Sequence, residues 1–186
     1  MTRLVRATEL MGLPVVTLDK AAAVGEVRDV FFDPARSRVV ALTVRGRGLL
    51  SPALIGLLPT GSVRSIGRDA VMIDTADSLV GHREGMSSAV DDQIEVIGKR
   101  VVTDNGGALG SVIDVVLEVD GGDAIVVGAE IERSGEGRVI LPLPAGIPVS
   151  SDVLVVPAAS EPLAANGLVG FREVLARSRG RSEVSV

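Results

Sequence analysis

Apolar and polar positions alternate with a period of two over several short stretches, the pattern of half-buried β-strands. Over residues 24–33, Val24, Glu26, Arg28, Val30 and Phe32 fall on one face, and Gly25, Val27, Asp29, Phe31 and Asp33 on the other. Leu109, Ser111, Ile113, Val115 and Leu117 form the same kind of face further along. Shorter runs predict strands over 39–45, 70–74, 124–131 and 153–156. Between them, Asn105-Gly106 and Asp120-Gly121-Gly122 are hairpin signals, and Asp33-Pro34 ends a strand. After Ser160 the period changes. Leu163, Leu168, Phe171, Val174 and Leu175 fall at roughly helical spacing and predict a short helix over about 168–178, followed by a basic end.

The pattern occurs twice. Gly12-Leu-Pro-Val-Val-Thr17 matches Gly98-Lys-Arg-Val-Val-Thr103, and Val24-Gly-Glu-Val-Arg-Asp-Val30 matches Leu109-Gly-Ser-Val-Ile-Asp-Val115. Leu58-Pro59 then answers to Leu141-Pro142, and Asp69-Ala-Val-Met-Ile73 to Asp152-Val-Leu-Val-Val156. Order is kept, and Gly25 and Asp29 recur as Gly110 and Asp114 in step with the apolar positions, which chance would not preserve. The expected organisation is a first domain over 1–80, a linker over 81–91, a second domain over 92–160 and a tail over 161–186. Each domain has four or five short strands, too few for a two-sheet sandwich, so the expected fold is mainly all-β. It would consist of two small, strongly bent barrels, separately closed, with a short C-terminal helix or tail.

Composition sharpens this picture. The 186 residues are 46% hydrophobic with mean hydropathy +0.41, but they hold three Phe and no Tyr, Trp or Cys. Disulfides, thiolate metal sites and cysteine nucleophiles are excluded. The longest uncharged run, 48–63, is interrupted by Pro52, Gly56, Pro59 and Gly61 and is too short to span a bilayer, so a soluble, cytoplasmic protein is expected. Net charge is −5. Residues 1–80 carry 10 basic and 8 acidic groups, whereas 92–160 carry 4 basic and 11 acidic groups. Net acidity and the absence of Tyr and Trp, which leaves stacking to the three Phe, argue against nucleic-acid binding, despite Arg45-Gly-Arg-Gly48.

These residues resemble the PRC-barrel family, named after the cytoplasmic domain of the photosynthetic reaction centre H subunit. The resemblance lies in Glu9-Leu-Met-Gly-Leu-Pro-Val-Val16, the run from Val24 to Asp33, Arg38-Val-Val-Ala-Leu-Thr-Val44 and Val63-Arg-Ser-Ile-Gly-Arg-Asp-Ala-Val71. The first copy follows the family pattern over about 5–75. The second, over about 94–157, is looser, because Gly128 interrupts its third strand and Ile147-Pro148 replaces the Val63–Ile66 pattern. The resemblance implies a six-stranded or similar small β-barrel used as a protein-binding module, as in the H subunit and in the C-terminal domain of a bacterial ribosome maturation factor. It brings no shared catalytic residues.

Candidate chemistry is sparse. Asp29 and Asp114 could be acid–base groups, but no titratable partner recurs with both, and a carboxylate accepting backbone N–H groups at a bulge or turn explains the recurrence. His82, the only histidine, lies in the linker beside Arg83 and Glu84. Asp120-Gly-Gly-Asp123 lacks the length and terminal Glu of a calcium loop. Gly106-Gly107-Ala-Leu-Gly110 precedes a strand, not the helix that a phosphate loop requires. No catalytic, cofactor or metal site is therefore expected. The run over 49–58 stands out, with Leu49, Leu50, Leu54, Ile55, Leu57 and Leu58 where the second copy is charged. It either covers the open end of its own barrel or forms an exposed patch for a partner, a second copy or a membrane surface.

The expected function is a non-enzymatic protein-interaction or scaffolding module with an unidentified protein partner, acting as a homodimer through the 49–58 segment. The alternatives are a small-ligand or membrane-peripheral sensor that uses the same segment, and an enzyme with an unrecognised site.

Overall fold

The computed structural model describes residues 2–33, 35–46, 56–81, 96–133, 135, 137–150 and 152–182. The linker, with His82, lies outside them apart from Gly81. The chain is mainly β, and it divides into two compact units. One comprises Met1–Asp33, Ser37–Gln93 and Glu118–Val126; the other comprises Pro34–Arg36, Ile94–Leu117 and Val127–Val186.

In the first unit, β1 (Arg3–Arg6) precedes β2 (Pro14–Thr17), β3 (Ala23–Asp33), β4 (Arg38–Arg45), β5 (Gly56–Pro59), β6 (Val63–Ile66) and β7 (Val71–Ile73). The sheet runs β6–β7–β2–β3–β4, with β5 also on β4. β2 and β7 are parallel; the other neighbours are antiparallel. The predicted alternation in β3 holds at first, with Gly25 and Val27 buried. Register shifts between Val27 and Asp29 and between Phe31 and Phe32 then break it, and from Asp29 onward every residue is half-buried. Each bulge adds an unpaired residue and bends the strand, which lets a short sheet curl around Val15, Leu42, Val44, Leu58, Val71 and Ile73.

The segment Glu118–Val126 joins the two edges of this sheet. The Ile66 N–H donates to Gly121 O at 2.8 Å on the β6 side, and on the β4 side Ile125 pairs with Arg38 while the Val126 N–H donates to Ser37 O at 2.7 Å. Arg38 Nη2 lies 3.1 Å from Asp123 Oδ1. At Gly122 a β-carbon would collide with Val63 O. The Gly121-Gly122 turn is therefore where it must be for backbone to approach backbone, and Gly121 has φ +59°.

In the second repeat, β8 (Arg100–Thr103), β9 (Ala108–Asp120), β10 (Asp123–Arg133), β11 (Gly137–Pro142) and β12 (Val153–Val156) are followed by α1 (Gly167–Ser182), and all but the Glu118–Val126 part of β9 and β10 belongs to the second unit. The order is β12–β8–β9–β10–β11, and β12 is parallel to β8 as β7 is to β2. The predicted helix is present and longer than expected. Phe171 is fully buried, while Val169 is 81% exposed. Gly128 leaves room for that phenyl ring, because a β-carbon there would lie 2.5 Å from Phe171 Cζ. The interruption that Gly128 makes in the apolar pattern of the third strand is thus the seat of the helix.

The repeat extends to individual hydrogen bonds. The Gly12 N–H donates to Val27 O and the Val27 N–H to Leu13 O; Gly98 N–H to Val112 O and Val112 N–H to Lys99 O repeat them. The reciprocal bridge Leu57–Val80 recurs as Ile140–Ala165, and Leu18 N–H to Ile73 O recurs as Asp104 N–H to Val156 O.

Candidate interaction site

The repeat positions singled out by sequence occupy matched places. Gly25 pairs with Val15 and Gly110 with Val101. At Gly110, with φ +140°, a β-carbon would collide with Glu132 O, so glycine is required by close packing of backbone. Asp29 sits at the first bulge of β3. Its N–H donates to Thr43 Oγ1 at 2.9 Å, the Thr43 hydroxyl donates to Asp29 Oδ2 at 3.4 Å, and Arg28 Nε lies 3.3 Å from the same carboxylate. Asp114 is more deeply set, 5% exposed, and accepts the Val115 N–H at 2.7 Å. Both carboxylates are engaged by local groups and neither faces a paired acid or nucleophile in these bonds. Among the described residues no group of three or more His, Asp or Glu side chains could hold a metal ion.

The apolar segment splits. Leu57 and Leu58 belong to β5, paired with Thr43 and Leu42, and both are buried as core. Leu49, Leu50, Leu54 and Ile55 lie outside the described residues. A surface role for the run therefore rests on those four alone.

A different apolar feature escaped the sequence reading. In the turn before β2, Leu10 is buried and the adjacent Met11 is 45% exposed; in the turn before β8, Val96 is buried and Ile97 is 44% exposed. Each pair is followed by a glycine with positive φ, Gly12 at +82° and Gly98 at +87°. The left-handed glycine turns the chain so that one apolar residue anchors the turn and its neighbour is presented to solvent. The signal in the sequence was the repeated apolar–apolar–glycine triplet, with one more apolar residue than a turn needs.

A family model described as PRC-barrel domain matches the chain twice, over residues 3–80 and 93–162. The chain belongs to the PRC-barrel family. It carries the domain as a tandem repeat, in agreement with the matched hydrogen bonds of the two copies. No curated protein matches the chain. In this PRC-barrel protein, no helix among the described residues is long and apolar enough to cross a membrane.

Proposed function

We propose that this chain is a non-enzymatic, cytoplasmic interaction module whose two PRC-type repeats each present an apolar side chain to a protein partner. The observation that carries the reading is the exposure of Met11 and Ile97 at the same repeat position. An exposed apolar residue alone is ordinary surface, but its recurrence on the same kind of glycine turn in both copies is not accounted for by either core. Removing an anchor that acts as a hot spot in a protein contact costs about 2 kcal/mol or more, roughly 30-fold in affinity. Affinity purification from the native host with the wild type and with Met11→Asp/Ile97→Asp tests it. One partner retained in stoichiometric amount by the wild type, and lost from an equally stable variant, supports the proposal. Identical retention by both proteins overturns it.

The homodimer belongs to the same proposal, with Leu49, Leu50, Leu54 and Ile55 at the contact. Burial of a few hundred Å² of aliphatic surface at about 25 cal/mol per Å² supplies several kcal/mol, more than exposed ion pairs contribute. Leu57 is a core residue, so the informative variant is Leu50→Asp/Leu54→Asp. Light scattering should show a dimer for the wild type and a folded monomer for the variant. A wild type that remains monomeric at high micromolar concentration refutes the dimer.

A further inference from the structure

The first unit contains a piece of chain that its own repeat does not supply. Glu118–Val126 arrives after the linker, yet its bonds to Ile66, Ser37 and Arg38 tie β6 to β4 and complete the ring of strands. The fit is specific. Gly121 offers its carbonyl to Ile66, Gly122 lies so close to Val63 O that no other residue fits without displacement, and Asp123 meets the Arg38 guanidinium. Without this tip, the Ile66 N–H loses its acceptor, and the Arg38 end of β4 and the outer edge of β6 stand open. Such an edge is a template for whichever strand segment of the right shape arrives.

We propose that this receiving site also takes the Glu118–Val126 tip of a second copy of the chain, giving a dimer in which each copy closes the other's first unit. The contacts are the same whichever copy supplies the tip, so exchange sacrifices no hydrogen bond, and such swapping is a low-cost route to dimers. Fourteen residues, 82–95, lie between the described parts of the two repeats. At 3.3–3.6 Å per residue they reach at most about 50 Å, so chain length does not prescribe which copy is used. A tip on the same chain acts at an effective concentration of roughly millimolar, so exchange grows as the protein approaches that range or is refolded there. This dimer does not depend on the Leu49–Ile55 segment or on Met11 and Ile97.

The absence of cysteine from the chain makes the test clean. Arg38 and Ile125 are antiparallel Cα partners, a spacing of about 4.5–5.5 Å that a disulfide spans. The double variant Arg38→Cys/Ile125→Cys, oxidised at low concentration, should close within one chain; failure to do so overturns the proposal, because the tip is then not seated. Full-length Arg38→Cys and Ile125→Cys chains, unfolded and refolded together at several hundred micromolar, should form a mixed disulfide dimer. It should be at least tenfold more abundant than dimers from either variant refolded alone, and Gly122→Val in the Ile125→Cys chain should abolish it. A mixed dimer no more abundant than in those controls, or one unaffected by Gly122→Val, overturns exchange. Since neither cysteine lies in the proposed partner or dimer surfaces, Met11→Asp/Ile97→Asp and Leu50→Asp/Leu54→Asp leave this cross-link unchanged, and the proposals fail separately.

Discussion

Matched residues in the two repeats differ in how well their polar atoms are satisfied, and that difference is measurable. Thr103 Oγ1 contacts Asn105 Oδ1 at 2.5 Å and accepts the Gly107 N–H at 2.7 Å, whereas the equivalent Thr17 hydroxyl is buried without a hydrogen-bond partner. The cause is local. The turn after Thr17 is one residue longer and passes through Ala21 at φ +50°, so no N–H arrives where Gly107 delivers one. Thr103→Val should destabilise by about 1–3 kcal/mol, while Thr17→Val should be neutral or stabilising, because it removes an unpaired buried hydroxyl. Urea denaturation of both variants checks this, and equal losses would contradict it. The aspartates differ in the same sense. Asp114→Ala, at a buried acceptor, should cost about 1.5–3 kcal/mol. Asp29→Ala should cost less than about 1 kcal/mol, since its carboxylate is 47% exposed and its ion pair is screened. The recurrence of these aspartates was legible from sequence; their unequal burial was not, because alternation cannot foresee the bulge at Asp29.

Among the elements, the helix shows most clearly how sequence becomes structure. Its apolar spacing singled out Phe171, and Phe171 is the side chain it buries completely. What spacing could not reveal was the receptor. Gly128 weakens β10 as a strand former, and only the packed structure shows that the missing side chain is the space the ring fills. Phe171→Ala should cost about 3–5 kcal/mol in the stability of the second unit. Gly128→Ala should also destabilise, since the new methyl would have to displace both the ring and Leu141 O, 2.8 Å away. Thermal unfolding monitored on the full chain reads both, and a Gly128→Ala variant as stable as wild type would show that the helix is not seated there. Strand limits were recovered closely at Arg38–Arg45 and Val153–Val156, where β-branched and other aliphatic residues run without a Gly or Pro.

For the whole molecule, the repeat was legible because Gly25, Asp29 and their counterparts are held in step by backbone bonds that both copies make. The membership of Glu118–Val126 in the first unit was not, since a strand's period says which residues share a face but not which sheet edge its tip will meet. The repeat boundaries and the compact units consequently diverge. A fragment of residues 1–80 lacks the acceptor for Ile66 and the partner of Arg38, so it should unfold at a lower urea midpoint than the same residues in the full chain. Matching midpoints would show that the first repeat is complete by itself. The most direct test of the account is amide hydrogen exchange on the full chain. Val27 and Val112, Leu57 and Ile140, and Leu18 and Asp104 should be protected as matched pairs, and the Ile66 and Val126 amides should be protected to a comparable degree, because they hold the tip in the first unit. Exchange of Ile66 and Val126 at the rate of an unstructured chain, beside protected strands, would contradict it.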